Sequence, residues 1–159
     1  MNKFERVSKH QFDIDCAEMG LNIDIESVKL PARATKYSAG YDIYSVIDFT
    51  LEPGQGIKLP SGIKVQMDSD KFLAVFPRSG LGFKYRLMLD NTVGIIDADY
   101  YNNSKNEGHM FVKITNSGNK TLVVKKGEAI CQGIFTQYFI TADDTASAER
   151  AGGLGSTSK

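Results

Sequence analysis

Apolar residues recur at every second position over short runs of this chain, and turn residues separate the runs. Leu21, Ile23 and Ile25 alternate with Asn22, Asp24 and Glu26, then the phase slips at Ser27 so that Val28 and Leu30 continue the pattern. A period of two predicts a strand, and one extra residue re-phases it, so a bulge is expected near Ser27. Ile63, Val65 and Met67 alternate in the same way, and further strands are predicted over 57–59, 72–76, 92–96, 110–115, 122–124 and 129–138. Glycine, proline and asparagine at 52–56, 60–62, 116–119 and 125–127 supply the turns. Short strands with closely spaced turns predict antiparallel hairpins in an all-β sandwich or barrel. Residues 1–20 carry Phe4, Val7 and Phe12 among polar positions, a spacing that fits a helical turn or a loose strand. Little helix is expected elsewhere.

At 159 residues, 42% hydrophobic and 24% charged, the chain suits one soluble domain with a real core. We place that domain at 1–140; residues 141–159 lose their apolar positions and form a connector and a glycine-rich, flexible C-terminal arm. Lys plus Arg equals Asp plus Glu at 19 each, so no overall field draws the protein to nucleic acid or to a membrane. The N-terminus lacks an apolar targeting segment, and no run approaches a membrane span, so a cytoplasmic location is expected. Cys16 and Cys131 have no partner motif, and Cys131 reads as a buried structural thiol. His10 and His109 lack metal-ligand spacing and read as surface residues.

Four segments carry candidate chemistry. Residues 149–159 place Arg150, three glycines and three hydroxyls on a tail with almost nothing to pack, which suits a clamp on phosphate or a plain mobile terminus. Residues 76–83, Phe-Pro-Arg-Ser-Gly-Leu-Gly-Phe, combine a fixed cation, a hydroxyl and close backbone approach behind a strand, as an oxyanion requires; an ordinary turn with a surface arginine has the same composition. Asp97 ends a predicted strand with Tyr100 three residues on, a base beside a ring. Asp42 lies in the otherwise apolar stretch 39–45, where a carboxylate needs hydrogen-bond partners or a metal-water site.

Taken in order, residues 39–45, 77–81, 91–100, 127–132 and 150–157 resemble the five motifs of the trimeric dUTPases, with the third nearly complete. The resemblance runs from about Val28 to the C-terminus. It implies a jelly-roll-like β-barrel of antiparallel and mixed strands, a homotrimer with active sites shared between subunits, and Mg²⁺-dependent hydrolysis of dUTP to dUMP and pyrophosphate. It implies that Asp97 activates the attacking water and that Tyr100 packs under the deoxyribose and excludes a ribose. Asn91 and the hairpin backbone at Gly94 and Ile96 match the uracil pocket. Arg78, Ser79, Gly80 and Gln132 match phosphate contacts, and Asp42 an indirect, water-mediated metal site. Arg150, Leu154, Gly155, Ser156 and Thr157 match the arm that closes over the triphosphate.

The chain departs from the family pattern at Ala129, where an arginine is usual, and at Leu154, where a phenylalanine stacks on uracil. The polar insert 101–108 is expected to lengthen a surface hairpin and, with residues 1–27, to offer a surface for trimer packing or another protein. A dCTP deaminase relative would need a glutamate base that these motifs lack. A nucleotide-binding regulator that controls a partner protein is the alternative from a different class.

Overall fold

The alternating runs become strands whose partners are almost all distant in sequence. The computed structural model describes residues 1–150 and Gly152. In chain order its elements are β1 (Lys3–Arg6), α1 (Lys9–Glu18), β2 (Tyr41–Tyr44), β3 (Phe49–Leu51), β4 (Gly56–Pro60), β5 (Ile63–Gln66), β6 (Lys71–Pro77), α2 (Ser79–Tyr85), β7 (Leu87–Leu89), β8 (Gly94–Asp97), β9 (Phe111–Asn116), β10 (Leu122–Val124) and β11 (Ala129–Gln137). They form a four-stranded sheet β2-β11-β6-β8, a three-stranded sheet β4-β9-β7, and the pairs β1-β5 and β3-β10. The all-β class holds, but every ladder is antiparallel and the sheets stay open instead of closing a barrel. Strands this short end their ladders before a sheet can wrap onto itself.

The expected hairpins are not formed: among the described residues, no two strands consecutive in the chain pair with one another. β4 and β5 flank the turn at Pro60-Ser-Gly62, yet β4 joins β9 and β5 joins β1. The Ser61 hydroxyl donates to the Met110 carbonyl at 2.7 Å, which ties this turn to the neighbouring sheet. Nor is there a strand at 21–30. Asp24 caps a helical turn at Ile25–Ser27 by accepting from the Glu26 N–H, while Ile23, Ile25 and Val28 are buried as their alternation required. The bulge expected near Ser27 is absent, because that residue ends a helical turn; a register shift is found in β11 instead, between Ala129 and Cys131.

Residues 1–20 adopt both structures the spacing allowed. β1 pairs along β5, then Ser8 caps α1 by accepting from the Gln11 N–H at 3.1 Å. Phe12 carries this helix into the core, where it is completely buried with Leu73, Ile114 and Cys131; one such side chain contributes about 2 kcal/mol. Cys131 is the inert thiol expected, burial pushing it up to about 12. Residues 101–108 do not extend a hairpin, since β8 and β9 belong to different sheets. They form a run of turns with Asn103 buried inside.

His109 is fully buried and not a surface residue. Its Nδ1 meets Asp15 Oδ2 at 2.5 Å, and its Nε2 accepts from the Gly62 N–H at 2.7 Å. That acceptor role requires a neutral ring with the proton on Nδ1. Burial holds its pKa below the ordinary value of 6.5; Asp15 and Glu107 oppose the shift and Lys58 adds to it. The unfolded chain therefore takes up this proton first, so the stabilisation is complete above about pH 6.5 and is lost on acidification. Thermal melts between about pH 7.5 and 5 should show a steeper loss of stability in the parent protein than in His109→Gln.

Candidate active site

Strand β6 organises the residues that the sequence marks for chemistry. β8 pairs along its first half with Phe72 opposite Asp97 and Val75 opposite Gly94. β11 pairs along its other edge with Gln132 opposite Phe76 and Cys131 opposite Pro77, and β2 brings Asp42 opposite Gln132. Two groups of candidate residues result, one along the β8 edge of β6 and one where β11 and β2 meet the end of β6. From Phe72 to Pro77 is five steps along the strand, about 17 Å at the usual rise per residue.

The first group surrounds a cavity of about 390 Å³ between β8 and β9, lined by Asn91, Gly94, Ile96 and Tyr100 together with Lys58 and Lys113. β8 is the edge strand of its sheet, so one side of its backbone borders this cavity without a ladder partner. The turn into β8 is tight. Thr92 sits at φ 66°, and the Val93 N–H bonds the Asn91 carbonyl at 2.7 Å. A β-branched residue in that region costs about 1–3 kcal/mol, strain of the kind that collects at binding sites.

Tyr100 is 5% exposed. Its hydroxyl donates to the His109 carbonyl at 3.0 Å and accepts from Asn106 Nδ2 at 2.8 Å. Burial raises its pKa, opposed by the Asn106 bond and by Arg150, so the ring presents a neutral face. Asp97 is half exposed beside it.

The second group gathers where β6 enters α2. Arg78 Nε lies 3.3 Å from Asp42 Oδ1, and Gln132 Nε2 donates to the Pro77 carbonyl at 3.4 Å. Arg78 and Gly80 line an open cavity of about 420 Å³ with Glu128 and Ala129. Ser79 begins α2 and borders an adjoining cleft with Phe83. Among the described residues, no cluster of three or more His, Cys, Asp or Glu side chains converges on a metal position.

Arg150 belongs to the first group here. Its Nη2 reaches Asp97 Oδ2 at 2.5 Å, its Nε reaches Asp99 Oδ1 at 2.7 Å, and the guanidinium lies 5.8 Å from the centre of the Tyr100 ring. Gly152 follows against the Lys105 side chain. The remaining arm positions, Leu154, Gly155, Ser156 and Thr157, lie outside the described residues. Sequence reasoning missed Asp99 as a partner of Arg150 and missed Lys58 and Lys113 at the cavity. The spacing of Asp99 from Asp97 was a signal for the former; cross-strand pairing of the two lysines left none for the latter.

The sequence pattern of the dUTPase family matches residues 26–158, and the chain belongs to that family. It is 40% identical over 132 residues to the deoxyuridine 5'-triphosphate nucleotidohydrolase of Lactococcus lactis, an alignment spanning 82% of this chain and 88% of that protein. The enzyme of the same name from Desulfitobacterium hafniense is 41% identical over 137 residues, 81% of this chain and 87% of the relative. The protein is thus a dUTP diphosphatase, which hydrolyses dUTP to dUMP and pyrophosphate.

The dUTPase of Streptococcus mutans has a similar structure, with a TM-score of 0.68 and 33% identity over 87% of this chain and 97% of that one. The dUTPase of phage phi11 of S. aureus shares the fold at a TM-score of 0.66 and 17% identity, covering 93% of this chain and 97% of that one; it coordinates a structural Mg(II) ion. Family membership brings a divalent metal cofactor in general. No helix among the described residues is long and apolar enough to cross a membrane.

Gly40 tests the second group. A Cβ there would collide with Gln132 Oε1, at the flexible end of a side chain, and lie 3.3 Å from Gln132 Cβ, so Gly40→Ala should displace the carboxamide with a small shift of the β2–β11 ladder. We expect KM for dUTP to rise by about threefold or more with the melting temperature nearly unchanged.

Proposed function

We infer that Asp97 takes the proton of the water that attacks the α-phosphorus of dUTP, as the bond from that phosphorus to the bridging oxygen breaks and pyrophosphate leaves. The observation that carries this reading is a half-exposed carboxylate at the end of β8, next to a cavity lined by Asn91, Gly94, Ile96 and Tyr100. The backbone edge at Gly94 and Ile96, with Asn91, binds the polar edge of uracil. Tyr100 packs under the deoxyribose and leaves no space for a 2′-hydroxyl. Arg78, Ser79, Gly80 and Gln132 hold phosphates, so the cations are in place before negative charge develops on the leaving group.

The contact of Arg150 with Asp97 supports a two-position arm. In this contact the guanidinium occupies Asp97 Oδ2; a triphosphate offers Arg150 more negative charge and draws it away from the carboxylate. Leu154, Gly155, Ser156 and Thr157 then cover the nucleotide and exclude water. The divalent ion of this reading is Mg²⁺, which would supply charge neutralisation at the leaving pyrophosphate. The one partly exposed carboxylate of Asp42 suits a water-mediated contact of this kind.

The separation of the two groups along β6 supports sites shared between subunits, and we assign a homotrimer. A cytoplasmic location fits the substrate. Nothing in the fold favours a regulatory partner protein over catalysis.

Pyrophosphate release with Mg²⁺ should be strong from dUTP and near background from dCTP, dTTP and UTP. Asp97→Asn should lower turnover by about 10³-fold and leave dUTP binding intact; full activity in that variant would remove Asp97 from the mechanism. Co-expressed Asp97→Asn and Arg78→Ala chains, each inactive alone, should regain activity when mixed in one oligomer, whereas sites confined to one chain would stay silent.

A further inference from the structure

Residues 1–25 lie outside the stretch that matches the family, yet they are bound into the fold by polar contacts, one of them buried. Helix α1 meets the loop after Tyr100 at both of its ends. At the start, the Ser8 N–H and hydroxyl donate to the two oxygens of Glu107 at 2.9 and 2.6 Å. Towards the other end, Asp15, 6% exposed, accepts from His109 Nδ1. Tyr101 also bonds Glu5 of β1. A helix present only to add solubility would not bury a carboxylate against an imidazole, because such groups cost free energy unless their partners are held in place.

The clamped histidine bears directly on the ring in the nucleotide cavity. Its Nε2 is fixed by the Gly62 N–H, and its ring packs against Phe111 with centroids 4.5 Å apart. With both ring nitrogens and one face held, the backbone of residue 109 has little freedom, and its carbonyl is the acceptor for the Tyr100 hydroxyl. Asn106 completes the grip, donating both to that hydroxyl and to the same carbonyl. Gly108 closes the loop so tightly that a Cβ there would lie 2.6 Å from the Tyr100 carbonyl oxygen, at φ 82°.

We propose that Asp15 and His109 are positioning residues for Tyr100, so that helix α1 sets how strictly the enzyme excludes a ribose. This rests on the reading that Tyr100 packs under the deoxyribose. The line of force runs from Asp15 through the imidazole to the His109 carbonyl and the phenol, and none of these groups except Tyr100 borders the nucleotide cavity. A ring fixed at its hydroxyl end cannot tilt away to admit a 2′-hydroxyl. A loosened ring gives way, and discrimination falls while the chemistry at Asp97 continues.

The test is the ratio of kcat/KM for dUTP to that for UTP in the full-length oligomer. Asp15→Ala removes the acceptor for Nδ1–H and should lower the ratio by about tenfold or more, chiefly through faster use of UTP. Asp15→Asn keeps an acceptor oxygen and should restore the ratio to within about twofold of the parent. Asn106→Ala, which removes the donor to the hydroxyl and one donor to the His109 carbonyl while leaving the Asp15 contact with the imidazole in place, should lower the ratio as well and serves if Asp15→Ala does not fold. A folded Asp15→Ala or Asn106→Ala protein with the parental ratio would overturn the proposal. Tyr100→Ala separates the two readings: if it too leaves the ratio unchanged, the assignment of Tyr100 to the sugar has failed, whereas a ratio lost only in Tyr100→Ala condemns the brace alone.

Discussion

Strand β6 is hydrogen-bonded on both edges, and the rest of the molecule is arranged by that constraint. An antiparallel ladder fixes which residues face one another and on which side of the sheet each side chain falls, so pairing with β8 and β11 sets the positions of Asp97 and Gln132 together. A slip of one residue on either edge would turn the inward positions of that strand outward. The consequence is a chain that carries two sets of candidate residues on different edges of one strand, the arrangement behind the proposal that sites are shared between subunits.

Two polar devices then act on the first set. One is the pair of carboxylates that receives Arg150, a surface interaction of modest strength that ligand phosphates can replace. The other is the buried Asp15–His109–Gly62 contact, which is rigid because breaking it would strand a buried donor or acceptor. The arm contact is suited to change during turnover, and the buried contact is suited to hold a ring still. The two contacts differ in burial and both converge on Tyr100, which is why opposite duties are proposed for them.

Much of the fold and of the site was legible in the amino-acid order. Alternation marked the strand at 63–67, and short apolar runs bounded by turn residues marked those at 57–59, 72–76, 110–115, 122–124 and 129–138. The motif segments marked Asp97, Tyr100 and Arg78, because the chemistry of a nucleotide triphosphate needs a base, a flat ring and fixed cations close to turns. Burial was also legible where the element was not: Ile23, Ile25 and Val28 are core residues although no strand contains them.

Only the tertiary structure decided the pairing of strands, since alternation says that a strand has a buried face but not which distant strand supplies its hydrogen bonds. It also decided the fate of His109. A histidine in a polar stretch reads as exposed, and its burial depends on Asp15, which lies 94 residues away in sequence. In the same way, no local pattern could tell that the first helix and the loop after Tyr100 form one brace, or that Arg150 rests on Asp97. The sequence by itself determined which residues are chemically able to act on a nucleotide; long-range packing, through contacts with no local signature, determined which of them meet.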